Sequence, residues 1–548
     1  MSTYYGGPDQ LSPMGQGPTP PRSKSRTGAI VAGLGVAGLA VAGVAVGATY
    51  FFSAGAQPAE ALPDSTIAYV SVDLNPSGAQ KVEAIRLLRK FPAFTDSVDV
   101  DEDSDLVQEL FDQAIAEGEC TDLNYADDVK PWLGARAAVA AVDAGEETPA
   151  GVVVIQVKDE QKATDGLEAV VAACGGSTDD LGVVVSGEWA VFAETQGLAD
   201  DVADAASSAN LADDATYRKW TDEAGGDAIV QAYVSPRIAD YADAIADASD
   251  SAVGQSEMYS DDPFSDDLED DFSDGLPTGP GTTDPEAIKE ALSKFQGAAA
   301  AIRFDNAGLE VEFASGVEAE ADGIMGDGAG ELVGDLPAST VAAFGLGLDE
   351  DWLANVEREM AKLDDAAEFD VDELLSEVGI TREDVTGLLG EGVAVAVGSG
   401  IDVDAVTNGG IEEMPAAAVV DTDVDALGSA IRNILAASGE DASELDWLTP
   451  AGSDGHAVVS PHDGFRDEVA DPKERLKDVD EYKDVVEDVD DAQGLLFVNF
   501  NADDDWLVRI LDSEAPDAAE NVAPLAAFGV VGWFDDGVSH LKIRLTTD

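Results

Sequence analysis

The side chains best suited to acid–base or metal chemistry are few in this chain of 548 residues. Its histidines are His456, His462 and His540. The first two are six positions apart, which does not place both on one helical face. The sequence contains no HExxH metal motif, no GxSxG nucleophile motif and no GxxxxGK[ST] phosphate loop. We therefore expect no catalytic residues, no cofactor site and no metal site.

Carboxylates and cysteines give weaker signals. The chain carries 112 Asp plus Glu, so pairs of acidic residues arise by chance. The alternating aspartates of 99–105 resemble a calcium loop, but Leu110 stands where that loop needs a bidentate Glu. Cys120 and Cys174 form either a disulfide, which an even count outside the cell favours, or a pair of buried thiols.

One segment concentrates positive charge in a chain whose formal net charge is −83. Four of the 29 Lys and Arg residues fall within KVEAIRLLRK, namely Lys81, Arg86, Arg89 and Lys90. This predicted helix contacts either lipid head groups or an anionic envelope polymer, or its cations pair with carboxylates of the same molecule. The overall charge argues against nucleic acid as a partner, because phosphate binding needs clustered cations.

An uncharged stretch near the amino terminus predicts where the chain is located. Residues 28–52 would span about 37 Å as a helix, which exceeds a hydrocarbon core of about 30 Å. The basic cluster PRSKSR precedes this stretch, so the positive-inside rule places the disordered Pro/Gly-rich tail 1–27 in the cytoplasm. We expect a single-pass cell-membrane protein with an extracellular C-terminal domain, whose first partner is the lipid bilayer.

We interpret this stretch as an uncleaved anchor, because the apolar core of a signal peptide has only about 7–15 residues. Cleavage at 53–56 is the alternative. Gly43 and Gly47 form a GxxxG pair that would let two such helices associate as a homodimer. A helix rich in Gly, Ala and Val also contains this spacing by chance.

The region beyond the anchor contains an internal repeat. Five sequence blocks recur in the same order; the first is LPDST at residue 62, which matches LPAST at residue 336. The predicted repeats are residues 62–316 and 336–548. An acidic, flexible insert at 250–285 lengthens the first.

Periodicity predicts an α+β fold for both repeats. Apolar residues fall on one helical face in 159–174 and again in 421–438, whereas 152–155 is a β-branched run. The segments 305–308 and 535–537 carry residue types typical of hairpin turns. We expect two duplicated halves, each a mostly antiparallel sheet with helices on one side.

The segments LPDSTIAYVSVDLNPSGAQK, RKFP and VKPWLGARAAVAAV resemble a bacterial protein family, domain of unknown function thirty-three fifty-two. The similarity is greatest to its actinobacterial members and covers the chain from Leu62 to the C-terminus. The resemblance implies an envelope location, one membrane helix and a single type of outer domain. It implies no activity and no catalytic residues.

Three functions fit these observations. The first is a non-catalytic envelope protein with a structural role or a role in binding envelope proteins or polymers. The second is a hydrolase of an envelope polymer that uses two carboxylates about 5–10 Å apart. The third is a sensor with phosphorylation sites at Thr19, Ser23 or Ser25 of its cytoplasmic tail. The absence of catalytic motifs favours the first function.

Charge repulsion within the chain predicts that salt stabilises the outer domain. Sodium chloride at 0.1 M screens charges over about 10 Å, and higher concentrations screen over shorter distances. The melting temperature of the outer domain should therefore rise with added salt, because the compact state repels itself at low ionic strength. Circular dichroism melts from low to molar salt measure this, and an unchanged melting temperature would contradict it.

Overall fold

The chain folds as an α+β protein. The computed structural model describes residues 56–73, 78–95, 108, 123–173, 181–226, 228–245, 285–305, 308–317, 323–361, 371–401, 413–438, 446–453, 456–487, 491–503, 505–512 and 515–548. The strands are β1 (Thr66–Asp73), β2 (Leu133–Val142), β3 (Ala150–Val157), β4 (Gly182–Ser186), β5 (Trp189–Ala193), β6 (Val230–Val234), β7 (Phe295–Asp305), β8 (Gly308–Val317), β9 (Thr340–Gly347), β10 (Gly392–Gly398), β11 (Ala416–Asp421), β12 (Ala451–Ser453), β13 (His456–Val459), β14 (Gly494–Asn499), β15 (Leu525–Asp535) and β16 (Val538–Thr547).

Helices lie between many of these strands. The α-helices are α1 (Gly78–Leu88), α2 (Pro92–Thr95), α3 (Glu160–Ala173), α4 (Gln196–Ser208), α5 (Ala215–Glu223), α6 (Pro285–Lys294), α7 (Ala329–Gly334), α8 (Trp352–Met360), α9 (Val371–Val378), α10 (Arg382–Leu389), α11 (Val424–Ser438), α12 (Asp463–Ala470), α13 (Asp480–Val485), α14 (Trp506–Leu511) and α15 (Pro516–Val522). Short 3₁₀ segments lie at Pro58–Ala61, Leu211–Asp213, Pro236–Tyr241, Asp446–Leu448 and Leu476–Asp478, and a π-helical turn lies at Tyr125–Val129. The helices α3 and α11 match the two predicted from apolar periodicity.

All of these strands join one sheet. Its order from edge to edge is β12-β13-β11-β10-β9-β14-β15-β16-β8-β7-β6-β1-β2-β3-β5-β4. Neighbouring strands are antiparallel throughout. The predicted α+β class with antiparallel strands is confirmed. The sheets expected for the two halves are joined into one, because β8 pairs with β16 and makes the sheet continuous.

The strand order is the same when it is read outward from the centre in either direction. From β8 it runs β7, β6, β1, β2, β3, β5, β4, and from β16 it runs β15, β14, β9, β10, β11, β13, β12. β1 and β9 also share one burial pattern, in which the fifth residue, Val70 or Phe344, is exposed and its two neighbours are buried. Positions in the two halves therefore correspond when they are counted from equivalent hairpins.

Helices pack on both faces of the sheet, which corrects the prediction of helices on one side. The first face includes Tyr69 and Leu495, and there α4, α5, α7, α12 and α13 bury one apolar cluster in each half. The second face includes Val70 and Phe344; there α3 covers β3 and β5, α11 covers β11 and β13, and α1 covers part of β7. The outer strands need helices on both faces, because runs such as 152–155 place apolar side chains on both sides of the sheet.

Two glycines allow the core of the first half to close. Helix α5 places Trp220 against β7 and β8, and its indole N–H donates to the carbonyl oxygen of Gln296 at 2.9 Å. A Cβ at Gly297 would lie 2.1 Å from the indole nitrogen, and a Cβ at Gly316 would lie 2.4 Å from Cη2. Such distances lie far inside van der Waals contact, so the close packing of Trp220 requires glycine at both positions.

A buried ion pair fastens the beginning of the described structure to the sheet. The carbonyl oxygen of Ala56 accepts a hydrogen bond from Arg136 Nη1 at 2.5 Å. Arg136 Nε lies 2.9 Å from Asp73 Oδ2, and both side chains are buried. The chain therefore enters the domain beside the end of β1, the strand that α1 follows.

None of the helices in the described ranges combines the length and the hydropathy that a membrane span needs. The predicted span 28–52 and the tail 1–27 lie outside the described residues. So do Cys120, Cys174 and positions 250–284 of the predicted insert.

Candidate functional site

Charged side chains meet on the first face where the two halves of the sheet join. β8 contributes Glu310 and Glu312, and β16 contributes Lys542 and Arg544. Glu310 lies directly opposite Arg544, and Glu312 lies directly opposite Lys542. Together with one residue of β7 and another of β16 they form what we call the charged seam: Arg303, Glu310, Glu312, His540, Lys542 and Arg544.

Two guanidinium groups hold the carboxylates of the seam. Arg303 Nη2 lies 2.8 Å from Glu312 Oε2, and its Nη1 lies 3.4 Å from Glu310 Oε1. Arg544 Nη1 lies 3.5 Å from the other oxygen of Glu310 and also pairs with Glu487. The Arg544 side chain is only 4% exposed. Each buried charge therefore has a partner of opposite sign, as burial requires.

Burial raises the pKa of Glu310 above its ordinary value. The positive charges of Arg303, Arg544 and Lys542 act in the opposite direction, and the nearby Glu312 adds to the increase. The balance shows that removing this carboxylate from water outweighs the attraction of its partners.

The second half fills the corresponding positions with an aromatic pair. Counting from the hairpins, Arg303 and Glu310 correspond to Trp533 and His540. The Trp533 and His540 rings stack with centroids 4.8 Å apart and planes 4° from parallel. His540 Nε2 lies 3.9 Å from Glu223 Oε2, which brings α5 of the first half toward β16 of the second.

Glu312 and Lys542 correspond to each other by the same count and lie directly opposite each other across the joint. If both halves carried the same charged residue there, like charges would meet and oppose the pairing. The two halves instead carry opposite charges at this position, so their attraction favours the joint.

The seam contains the carboxylate spacing that a polymer hydrolase would need. Glu310 and Glu312 project from one side of a strand, about 7 Å apart along its axis. A general acid in such an enzyme needs a raised pKa, as Glu310 has. Both carboxylates are nevertheless committed to arginines at 2.8–3.5 Å. We interpret the seam as the joint between the halves.

The predicted basic cluster lies in and just beyond α1. Lys81 belongs to the helix, and the side chains of Arg86 and Arg89 are exposed. Lys90 Nζ donates to Thr547 Oγ1 at 2.8 Å and to the backbone oxygen of Asp548. Burial lowers the pKa of Lys90, and the charge of Asp548 acts against that decrease. One member of the cluster thus ties the first half to the last strand.

The structure does not bring the three histidines together. His456 Nε2 lies 3.7 Å from Asp421 Oδ1 at the edge of the sheet. His462 caps α12, since its Nδ1 accepts a hydrogen bond from the Phe465 N–H at 3.0 Å. In the described ranges no group of His, Cys, Asp and Glu is arranged to hold a metal ion.

Sequence reasoning missed the seam. Its signal was present in the alternating charges of GLEVEF and HLKIRL, one acidic and one basic, in segments recognised as closing hairpins. The missing information was that these two edge strands pair with each other, which depends on contacts 230 residues apart.

Among the residues that the structure describes, the second face is apolar and largely uncovered across nine central strands: β1, β6, β7, β8, β16, β15, β14, β9 and β10. At its margins, Val230 packs against the cluster of α1 and Val393 against that of α11. Two rows of side chains cross it, and we call them together the open face. One row is Val70, Ala232, Ala300, Phe313, Leu541, Gly532, Gly494, Leu346 and Val393; the other is Val72, Val230, Ile302, Val311, Ile543, Val530, Leu496, Phe344 and Val395. Each of these residues is half-buried or exposed.

The open face is large and lacks charge. The large side chains standing out from it are Val70, Phe313, Phe344, Val395 and Leu541, which are 38–50% exposed. Nine strands span about 38 Å at the usual strand spacing. None of the two rows' residues is charged or polar, although 26% of the chain is charged. A surface of this kind usually marks an interaction site.

Removing Arg544 should weaken the joint. Arg544→Met leaves the buried Glu310 with one cation fewer, so we expect a loss of about 3–5 kcal/mol in the free energy of unfolding. Arg509→Met is the matched control, since Arg509 pairs with Asp503 at 3.1 Å but is 45% exposed, and should lose at most about 1 kcal/mol. Urea denaturation measures both, and equal losses would contradict the role of the seam.

The stability difference between Glu310→Gln and the wild type should depend on pH. Because folding raises the pKa of Glu310 above 4.5, the folded state binds its proton more tightly than the unfolded chain. The stabilisation from this group is complete below pH 4.5 and is lost as pH rises through the raised value. Gln lacks this loss, so the free energy of unfolding of the variant should increase relative to that of the wild type as the pH rises above 4.5.

Urea midpoints of both proteins across this range give the difference. Glu147→Gln, in the exposed loop between β2 and β3, provides the control for removing one carboxylate from an acidic surface. A difference for Glu310→Gln that stays constant with pH would refute the expectation.

Comparison with known proteins identifies a family and no characterised relative. A model described as "Protein of unknown function (DUF3352)" matches residues 27–396. No curated protein matches the chain. The family match includes the LPDST segment and the WLG block, so the family resemblance found in the sequence is confirmed, and the match extends to residue 396 rather than to the C-terminus. Since the match covers more than half of the chain, the protein belongs to the DUF3352 family.

Proposed function

We propose that this chain is a single-pass protein of the cell envelope whose outer domain binds another molecule and does not catalyse a reaction. The open face is the observation that carries the proposal. It exposes two rows of apolar side chains over nine strands in a chain of net charge −83. Exposing such a surface to water is costly at about 25 cal/mol per Å², so a binding partner accounts for it better than folding alone.

The anchor is supported by sequence and by the extent of the family match. Residues 28–52 are uncharged, and the PRSKSR cluster lies on their amino-terminal side. The family match starts at residue 27 and therefore includes this stretch together with the domain. In this proposal the tail 1–27 is cytoplasmic and the domain from Ala56 onward lies outside the cell.

An internal duplication accounts for the two halves. Five sequence blocks recur in order, the strand order is the same on both sides of the centre, and β1 and β9 share one burial pattern. Duplication would supply two edge strands, β8 and β16, of the same origin. Their later divergence to opposite charge would allow them to pair.

A non-catalytic role is supported by the state of the carboxylates in the seam. Glu310 and Glu312 are engaged by Arg303 and Arg544, which favours a structural role over proton transfer to a substrate. The open face, in turn, offers apolar contact and no acid–base group.

Two aspartates in the centre of the stretch should abolish membrane retention. Each Asp at mid-bilayer costs about 2.5–3.5 kcal/mol of insertion free energy, so Leu39→Asp with Val41→Asp should release the chain from the membrane fraction. Thr19→Asp with Ser23→Asp adds the same charge to the tail and should leave it bound. Carbonate-washed membranes of cells producing each variant measure this. Retention of the Leu39→Asp, Val41→Asp variant in the membrane fraction would contradict the anchor.

A further inference from the structure

We propose that the open face binds the hydrocarbon chains of an anionic lipid, whose head group lies at Arg89, the residue that follows α1. This inference rests on the binding role proposed for the open face, and it does not depend on the anchor at 28–52.

The open face has hollows between apolar ridges. In one hollow, Ala232 and Ala300 lie side by side on β6 and β7, with Val70 on one side and Phe313 on the other. The small residues form the floor and the large ones form the walls. A flexible alkyl chain can fill such a hollow through dispersion contacts alone.

A second hollow lies in the other half. Gly494 and Gly532 are directly opposite each other on β14 and β15, between Leu346 and Leu541. A Cβ added at either glycine would have its nearest neighbour at 3.8 Å. Within the described ranges the space above the glycines is therefore open, and no close packing there requires glycine.

The chemistry of the face selects hydrocarbon over polymer. A polysaccharide or peptide lying on this surface needs hydrogen-bond partners, since polar groups buried without them are costly. The two rows offer Val, Ile, Leu, Phe, Ala and Gly only, and the backbone groups of these strands are paired with neighbouring strands. Alkyl chains make no such demand and gain from leaving water.

Electrostatics disfavours a second copy of the chain as the occupant. Each copy has a net charge of −83, so face-to-face docking would bring two strongly negative bodies together. An anionic lipid carries only a small charge, and a basic side chain near the open face can bind it.

The cation that would bind the head group lies at the end of α1. Ala84, Ile85 and Leu87 of this helix share a buried cluster with Phe304 of β7, and Val230 of β6 and Leu309 of β8 pack against that cluster at one end of the second face. Arg89 is exposed there. A phosphate or carboxylate head group at this end would meet its guanidinium group in a molecule that is otherwise acidic.

Photocross-linking with a defined lipid tests the proposal on the full chain. The protein is reconstituted into phosphatidylcholine nanodiscs that contain phosphatidylglycerol with a diazirine in its acyl chain, and cross-linked peptides are mapped by mass spectrometry. We expect lipid adducts on the peptides that carry Phe313, Leu541 and Phe344, with fewer adducts when phosphatidylcholine carries the diazirine.

Valine-to-threonine substitutions keep side-chain shape and remove apolar surface. Val70→Thr with Val395→Thr should lower adducts on the open face by roughly tenfold. Val378→Thr is the matched control, because Val378 of α9 is 55% exposed but lies outside the open face. Arg89→Gln should abolish the preference for the anionic lipid. Melting temperatures confirm that the variants fold. If the double variant does not fold, the positions of the lipid adducts on the wild-type protein test the proposal.

The outcomes separate this inference from the anchor. Adducts confined to 28–52 would overturn lipid binding by the open face and support the anchor. Adducts on the open face without any in 28–52 would support lipid binding by the open face and contradict the anchor. Cross-links from the open face to a second copy, or to residues 246–284 of the same chain, would identify a different occupant and overturn the inference.

Discussion

The pairing of β8 with β16 is the constraint on which the rest of this structure depends. Each strand would otherwise be the open edge of its half, with unpaired backbone N–H and C=O groups that invite aggregation. Their pairing along 308–315 and 539–546 turns two edges into the centre of one sheet. The charged seam makes this pairing specific, since acidic residues on one strand face basic residues on the other.

The same register creates the open face. Side chains alternate along a strand, so the residues between the charges of the seam, such as Val311, Phe313, Leu541 and Ile543, emerge on the opposite side. A slip of one residue would carry the charges to the open face and the apolar residues into the seam. The seam and the open face are therefore two consequences of one alignment, and a change that weakens the first alters the second.

The distribution of charge explains how an acidic protein can present an apolar surface. Among the described residues most carboxylates are not buried. Of the four buried ones, Asp73, Glu310 and Glu312 are held by arginines, and Asp384 is held by Thr381 and Asn433. The central strands are left uncharged on their second face. Repulsion among the remaining carboxylates opposes association of two copies through that surface.

The sequence alone determined the α+β class, the antiparallel strands, the helices α3 and α11 and the family, because these follow from local periodicity and from short motifs. It also predicts the anchor and the repeat. Only the tertiary structure decided that the two halves of the chain share one sheet, that helices cover both faces of its outer strands, and that Glu310 meets Arg544. Those features depend on pairing between segments 230 residues apart, where hydrogen bonds and charges come together only after the chain has folded.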